Sequence, residues 1–148
     1  MNPFIVKQAT IEDLEEVISL FNEYRIFYKQ ESDLEGARCF LFDRFEHRES
    51  VIFLVKESES NKPVGFTQLY PLFSSVSMKR SWILNDLYVV DEYRSRGIAQ
   101  LLLDSAKIYA KQTKAKGLGL STSNDNDRAQ KYTNEMDIKK ITNFCITI

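Results

Sequence analysis

The amino-acid sequence predicts an α/β (or α+β) protein in which helices flank both faces of a mixed sheet. Two kinds of apolar pattern carry this prediction: intervals of three and four, typical of amphipathic helices, and short runs or alternation, typical of strands. These segments follow the order β-α-α-β-β-β-α-β-α-β. The 148 residues contain no linker, repeat or low-complexity stretch, so one domain over residues 1–148 is expected.

The first half of the chain is predicted to hold three strands and two helices. Strands are expected at residues 4–9, 51–55 and 64–72, and a turn at Pro63 joins the last two into a hairpin. Thr10 and the acidic residues after it resemble a capping box. Apolar residues then follow at positions 14, 17, 18 and 21, and Tyr24 and Tyr28 extend that stripe. A second capping signal at 32–35 precedes a stripe at positions 34, 37, 41 and 45.

The second half begins with a serine-rich loop at residues 74–79, followed by a strand at 82–90. The clearest helical periodicity of the chain runs over residues 98–110. A short strand at 118–122 follows Gly117. Several capping residues then precede a helix expected at 128–136, and alternating residues at 144–148 predict a final strand.

Composition excludes several classes of function. The net charge of −1 lacks the basic surplus of a nucleic-acid-binding protein. No apolar run is long enough for a membrane helix, and no signal peptide is recognised, so a cytoplasmic location is expected. His47 is the only histidine and is interpreted as a surface or packing residue. Cys39 and Cys145 form no metal-ligand pattern, and we expect both to be small core residues in a reducing compartment.

The turn at residues 94–99 joins a strand to a helix and could bind an anion. The first N–H groups of a helix lack partners and carry the positive end of its dipole. Gly97 allows close backbone approach, and two arginines add positive charge. The alternative is a basic, solvated turn with a helix-packing glycine, and the residues alone leave both open. Neither the Walker pattern nor the three glycines of a dinucleotide-binding turn is present.

Residues 84–99 resemble the GNAT superfamily of N-acetyltransferases. Arg94-Ser95-Arg96-Gly97-Ile98-Ala99 is similar to its Arg/Gln-x-x-Gly-x-Gly/Ala signature, and Leu84-Asn85-Asp86-Leu87-Tyr88-Val89 is similar to its central strand. Residues 126–130 are similar to the start of the following helix. The resemblance spans nearly the whole chain in the right order and points to a bacterial subgroup of undefined substrate. It implies a mostly antiparallel central sheet and acetyl-CoA (CoA) as the cofactor.

The resemblance also implies a set of cofactor-binding residues. The strand at Leu87, Tyr88, Val89 and Val90 would bond the pantetheine arm, and a bulge there would open a slot for the thioester. Asn126 would contact the cofactor near its reactive end, or act simply as a helix cap. The pyrophosphate would be held by Arg94, Ser95, Arg96, Gly97, Ile98, Ala99 and Gln100.

The implied reaction is direct attack of a neutral primary amine on the acetyl carbonyl in a ternary complex. A backbone N–H near Val89 is the candidate donor to the oxyanion. In some relatives a Glu that acts as the general base stands where this chain has Asn85. An asparagine side chain cannot act as a base. Asp86 would point to the opposite face of a regular strand, and could serve through a water or after a bulge. The alternative for Asp86 is a structural carboxylate. Tyr132 is the candidate proton donor to the thiolate, although it lies one place from the family position.

The acceptor, a small-molecule or protein amine, is expected near the first two helices and the loop after the third strand. The candidate residues are Tyr24, Arg25, Tyr28 and Tyr70. The second hypothesis is a CoA-binding sensor or partner module without turnover, because the family's Gly near residue 137 is absent. A third, weaker reading is a dinucleotide-binding domain. Neither nucleic acid, membrane nor metal is expected as a partner, and the oligomeric state is left open between a monomer and a homodimer.

Overall fold

The computed structural model describes residues 2–121 and 139–141, and for residues 121 and 139–141 only the backbone. Six strands form one sheet in the order β1 to β6. The strands are β1 (Phe4–Gln8), β2 (Val51–Glu57), β3 (Pro63–Ser74), β4 (Lys79–Val89), β5 (Leu118–Ser121) and β6 (Lys139–Ile141). Strands β1 to β4 pair antiparallel, and β5 pairs parallel with both β4 and β6. The helices are α1 (Leu14–Phe27), α2 (Leu34–Glu46) and α3 (Ile98–Gln112).

The predicted caps at Thr10 and Asp33 are confirmed, and Thr10 caps the 3-10 turn Ile11–Asp13 that leads into α1. The Thr10 side chain accepts from the Glu12 N–H, while the Thr10 N–H donates to Asp13 Oδ2 over 2.9 Å. Asp33 accepts from the Gly36 N–H and begins α2. Each cap satisfies backbone donors that the helix cannot pair internally, and a cap of this kind stabilises by about 1 kcal/mol.

The sheet separates two apolar cores, because alternate residues of each strand face opposite sides. On one face α1 and α2 cover Ile52, Leu54 and Phe66, and on the other α3 covers Val55, Leu69 and Leu84. All of these strand residues are almost fully buried. The predicted arrangement of helices on both faces of a mostly antiparallel sheet is therefore confirmed for the described part of the chain.

Two predictions at this level need correction, and three others fall outside the described residues. The loop expected at residues 74–79 is only a turn at 75–78, because β3 and β4 stay paired up to Ser74 and Lys79. Cys39 is exposed on α2 and is not a core residue, since it lies outside the apolar stripe of that helix. The helix at 128–136, the strand at 144–148 and Cys145 lie outside the described residues, and β6 occurs where no element was predicted.

The position of His47 agrees with its interpretation as a surface or packing residue. His47 is exposed at the end of α2, where its N–H donates to the Asp43 carbonyl. None of the helices within the described ranges combines the length and apolarity that crossing a membrane requires.

Gly65 allows the start of α3 to approach the sheet closely. A Cβ atom at this position would lie 3.1 Å from Ile98 Cγ2 and 3.1 Å from the Tyr88 carbonyl oxygen. The second of these atoms belongs to the backbone of β4 and cannot rotate away. The absence of a side chain at Gly65 therefore allows both β4 and the first residue of α3 to lie close to β3.

We expect Gly65→Ala to lower the free energy of unfolding by about 1–3 kcal/mol, the range for overpacking a core. The matched control is Gly117→Ala, because a Cβ there would meet no atom within 4 Å. Urea denaturation of both variants measures the difference. Equal stability of the two variants would contradict the close approach.

Candidate active site

A β-bulge at Asn85 reverses the direction of one side chain in β4. Gln68 of β3 pairs with Asp86, whereas the next residue, Leu69, pairs with Leu84, so Asn85 is an extra residue. Leu84 packs in the core under α3, and a regular strand would place Asp86 on that same side. The bulge instead places Asp86 on the face covered by α1. A bulge was expected at residues 87–90. The observed bulge lies just before them, because the register changes between Gln68 and Leu69.

Asp86 is buried, with 4% of its surface exposed, and is held by a chain of hydrogen bonds. Gln68 Nε2 donates to Asp86 Oδ2 over 2.6 Å, and Asn85 Nδ2 donates to Oδ1 over 3.0 Å. The Tyr24 side chain lies close enough to this carboxylate to interact with it. Ser50 Oγ donates to Gln68 Oε1 over 2.8 Å, which orients the Gln68 amide so that its N–H₂ faces Asp86.

Burial is the largest cause of the raised pKa values of the acidic groups in this cluster. Desolvation raises the pKa of the Asp86 carboxyl above its ordinary value, although the bonds from Gln68, Tyr24 and Asn85 oppose the rise. Burial, and then the nearby Asp86 charge, raise the pKa of the Tyr24 and Tyr70 phenols. Both phenols therefore stay protonated at neutral pH, and Asp86 is a stronger proton acceptor than an exposed aspartate.

Beyond the bulge, β4 has one edge that no strand in residues 2–121 or 139–141 covers. β5 pairs with β4 only along Trp82, Ile83 and Leu84. The Val90 N–H donates to Val64 of β3, so the alternation of an antiparallel ladder turns the N–H and C=O of Val89 away from β3. The backbone of Leu87 follows the same rule. This edge is the kind of surface to which an extended ligand can add as a further strand.

The turn after β4 has the geometry of an anion-binding loop. A short 3-10 helix at Asp91–Tyr93 is followed by Ser95 with φ 62° and Gly97 with φ 84°, and α3 begins at Ile98. Gly97 is exposed, and a Cβ there would meet nothing within 4 Å. Ile98 is 1% exposed and anchors the helix in the core. The start of α3 therefore lies directly after an exposed turn that leaves room for a ligand to approach the backbone.

The two arginines of the turn contact the protein itself in this structure. Arg94 Nε donates to the Val89 carbonyl over 2.9 Å, and its Nη1 lies 3.2 Å from Asp91 Oδ1. The Arg96 guanidinium carbon lies 5.1 Å from the Phe4 ring centroid and 5.2 Å from that of Tyr93. Arg94 therefore sits at the open edge of β4, and Arg96 covers aromatic rings beside β1.

The structure brings most, but not all, of the predicted acceptor residues together. Tyr24 lies close enough to Tyr28, Tyr70 and Asp86 for their charges to interact, and Tyr70 also interacts with Asp86. Arg25 instead donates to the Glu31 carbonyl over 3.2 Å in the loop after α1. Asn126 and Tyr132 lie outside the described residues. Within those residues no group of His, Cys, Asp and Glu could hold a metal ion.

Sequence reasoning missed Gln68 and Ser50, which position Asp86. One signal was available, because a glutamine within the strand pattern of residues 64–72 must find a buried partner. Its partner could not be identified, since the bulge that turns Asp86 toward Gln68 leaves no clear mark in the residue pattern.

Comparison with known proteins points to one family. The sequence pattern of the Acetyltransferase (GNAT) family matches residues 14–137. The uncharacterized N-acetyltransferase YhfO of Bacillus subtilis (strain 168) is 47% identical over 139 residues, which are 94% of this chain and 92% of that protein. A probable acetyltransferase of Haemophilus influenzae is 32% identical over 118 residues, which are 80% of this chain and 78% of that protein.

Solved structures agree with the sequence matches. The crystal structure of a probable acetyltransferase superposes with a TM-score of 0.88 at 42% identity, covering 97% of each chain. The aminoglycoside N-acetyltransferase AAC(6')-Iy in complex with CoA superposes with a TM-score of 0.77 over 98% of this chain and 93% of that chain. Its 14% identity shows a shared fold alone.

The raised pKa of Asp86 predicts a specific dependence of stability on pH. The native protein binds the Asp86 proton more tightly than the unfolded chain does. This contribution to stability is full below the unfolded pKa, about 4, and is lost as pH rises to the raised native pKa. We expect a ¹³C NMR titration of the Asp86 carboxyl to show a midpoint above that of an ordinary aspartate. A midpoint at or below the ordinary value would contradict the dominance of desolvation.

Proposed function

Since this chain belongs to the GNAT family of acetyltransferases and is an N-acetyltransferase, we propose that it moves the acetyl group of acetyl-CoA onto a primary amine by direct attack within a ternary complex. The observation that carries this proposal is the open edge of β4, which lies between the Gly97 turn and the buried Asp86 carboxylate. One substrate would bind along that edge, and the other would reach the cluster on the α1 face.

The residues of the open edge and the turn fit acetyl-CoA, which supplies the acetyl thioester. The N–H and C=O of Leu87 and the C=O of Val89 would pair with an extended pantetheine arm. The amides at the start of α3 suit a pyrophosphate, and the open space around Gly97 lets phosphate oxygens approach the backbone. Arg94 donates a hydrogen bond to the Val89 carbonyl in this structure. We expect this bond to break when the pantetheine arm binds to the same carbonyl.

The acyl carbonyl would be polarised by a backbone donor. The Val89 N–H faces the open edge, so it can donate to the oxygen on which negative charge develops. It is fixed by the pairing of β4 with β3 and needs no reorganisation during the reaction. Such a donor supplies roughly 3–4 kcal/mol of transition-state stabilisation in other enzymes.

Asp86 would take the proton that the amine must lose. The Tyr24 hydroxyl lies near the carboxylate, so it would pass a proton to Asp86 while it receives one from the amine. Asn85 and Gln68 donate to the two carboxylate oxygens and hold them in place. Asn85 is thus assigned a positioning role. For the proton that restores the thiol, Tyr132 stays the proposed donor.

We expect Asp86→Asn to lower kcat about 100-fold, because an amide cannot accept the amine proton. The affinity for CoA should stay unchanged. Thiol release from acetyl-CoA, measured with a panel of primary amines, gives both the acceptor and the rate. In the parent protein kcat should rise with pH through the raised pKa of Asp86, and the variant should lose that dependence.

The control for this experiment is Asp43→Asn, which changes an exposed aspartate on α2. It should keep the parent rate. An Asp86→Asn variant as active as the parent would remove Asp86 from the mechanism. CoA binding without thiol release for any amine would contradict acetyl transfer to a primary amine.

Gly97→Val should weaken CoA binding by about 10-fold or more. The valine side chain would occupy the open space at the turn. Valine also disfavours the left-handed backbone conformation of this position, where φ is 84°. Calorimetry should find a much smaller loss for pantetheine, which lacks the pyrophosphate. Equal losses for CoA and pantetheine would point to a folding defect, and unchanged CoA affinity would remove the turn from the site.

A further inference from the structure

Four aromatic rings beside Asp86 form a closed circuit of contacts. The ring centroids of Tyr24 and Tyr28 are 5.1 Å apart, and those of Tyr28 and Phe27 are 5.3 Å apart. Phe27 and Tyr88 are separated by 6.3 Å, and Tyr88 and Tyr24 close the circuit at 6.4 Å. We call these four rings the aromatic circuit.

The aromatic circuit is partly open to solvent. Phe27 is 55% exposed and Tyr28 is 44% exposed, although both are large apolar side chains at the end of α1. Tyr24 and Tyr88 are half-buried beneath them. Neighbouring rings meet edge to face or at a tilt, so the circuit does not close into a single stack. Ring faces therefore remain available to a ligand.

One cation already lies on the aromatic circuit. The Arg94 guanidinium carbon is 5.0 Å from the Phe27 centroid and 5.6 Å from the Tyr88 centroid. These distances fall within the range of cation–π attraction. Carboxylates add to the negative potential, since Glu23 interacts with Tyr88 and Asp86 interacts with Tyr24.

The position of the circuit relates it to the proposed chemistry. Asp86 and Tyr88 are two residues apart on β4 beyond the bulge, so their side chains share the α1 face with a separation of roughly 7 Å along the strand. A ligand with its reacting amine at Tyr24 and Asp86 could place a second group on the exposed rings. A neutral apolar group or a cation could contact the exposed rings, but only the cation gains from the ring faces and the carboxylates.

We propose that the aromatic circuit is a subsite for a positively charged group on the acceptor, so that the enzyme selects primary amines that carry a second cationic centre. This inference rests on the proposed function, because it concerns the acceptor of the same site. It adds a chemical class that the family alone does not supply.

The test uses pairs of primary amines that differ only in charge at the far end. One member carries a trimethylammonium group and the other a tert-butyl group, joined to the amine by the same chain of three, four or five methylenes. Calorimetry on the CoA-saturated protein should show the cation binding about 5- to 10-fold more tightly than its neutral partner at the best chain length.

Substitutions in the aromatic circuit test whether its rings cause the ratio of affinities for the cationic and the neutral amine. Phe27→Leu and Tyr28→Leu should bring the ratio close to one, while the affinity for CoA stays at the parent value. Phe42→Leu is the matched control, because Phe42 is a similarly exposed phenylalanine on α2 outside the circuit, and it should keep the ratio. A ratio near one in the parent overturns the subsite. A ratio lost in Glu23→Gln but kept in both ring variants also overturns it.

Turnover separates this inference from the proposed function. Acetylation of both amines with equal binding would leave amine acetylation standing and reject the subsite. Preferential binding of the cation without any thiol release would keep the subsite and reject acetyl transfer to a primary amine.

Discussion

The extra residue at Asn85 is the constraint on which the site depends. In a regular strand Asp86 would follow Leu84 into the apolar core beneath α3, where an unpaired carboxylate would cost several kcal/mol or stay protonated. The bulge turns the carboxylate to the other face, where Gln68, Asn85 and Tyr24 supply donors. The bulge also comes directly after Leu84, the last residue of β4 that pairs with β5. One change of register therefore positions the carboxylate and marks the start of the open edge.

The cluster around Asp86 balances two opposing effects. Removal from water favours the protonated carboxyl, whereas the hydrogen bonds from Gln68 and Asn85 and the nearby Tyr24 favour the ionised form. Each bond to a charged group contributes roughly 1.5–3 kcal/mol, so the donors offset much of the desolvation cost without cancelling it. The remaining rise in pKa is the property that a proton acceptor needs near neutral pH. Ser50 supports this balance from a distance, because it fixes the orientation of Gln68.

The turn from β4 to α3 is built by two residues with different tasks. Gly97 provides the left-handed backbone and leaves open space, whereas Ile98 anchors the helix in the core. Gly65 lets that anchor lie close to β3. Arg94 links the turn to the rest of the site, since it contacts the Val89 carbonyl and two rings of the aromatic circuit. A ligand at either the open edge or the circuit would therefore meet the same arginine.

The sequence by itself determined the element order through β5, the caps at Thr10 and Asp33, and the strand-turn-helix unit around Gly97. These features depend on local periodicity, capping chemistry and backbone freedom, which neighbouring residues in the chain decide. Only the tertiary structure decided the partners of Asp86, the close approach at Gly65 and the aromatic circuit. Each of these joins residues far apart in sequence, and the face that Asp86 occupies depends on a shift of one residue in the pairing of β3 with β4. Since side chains alternate along a strand, a shift of one residue reverses the face, and composition or spacing carries little record of it.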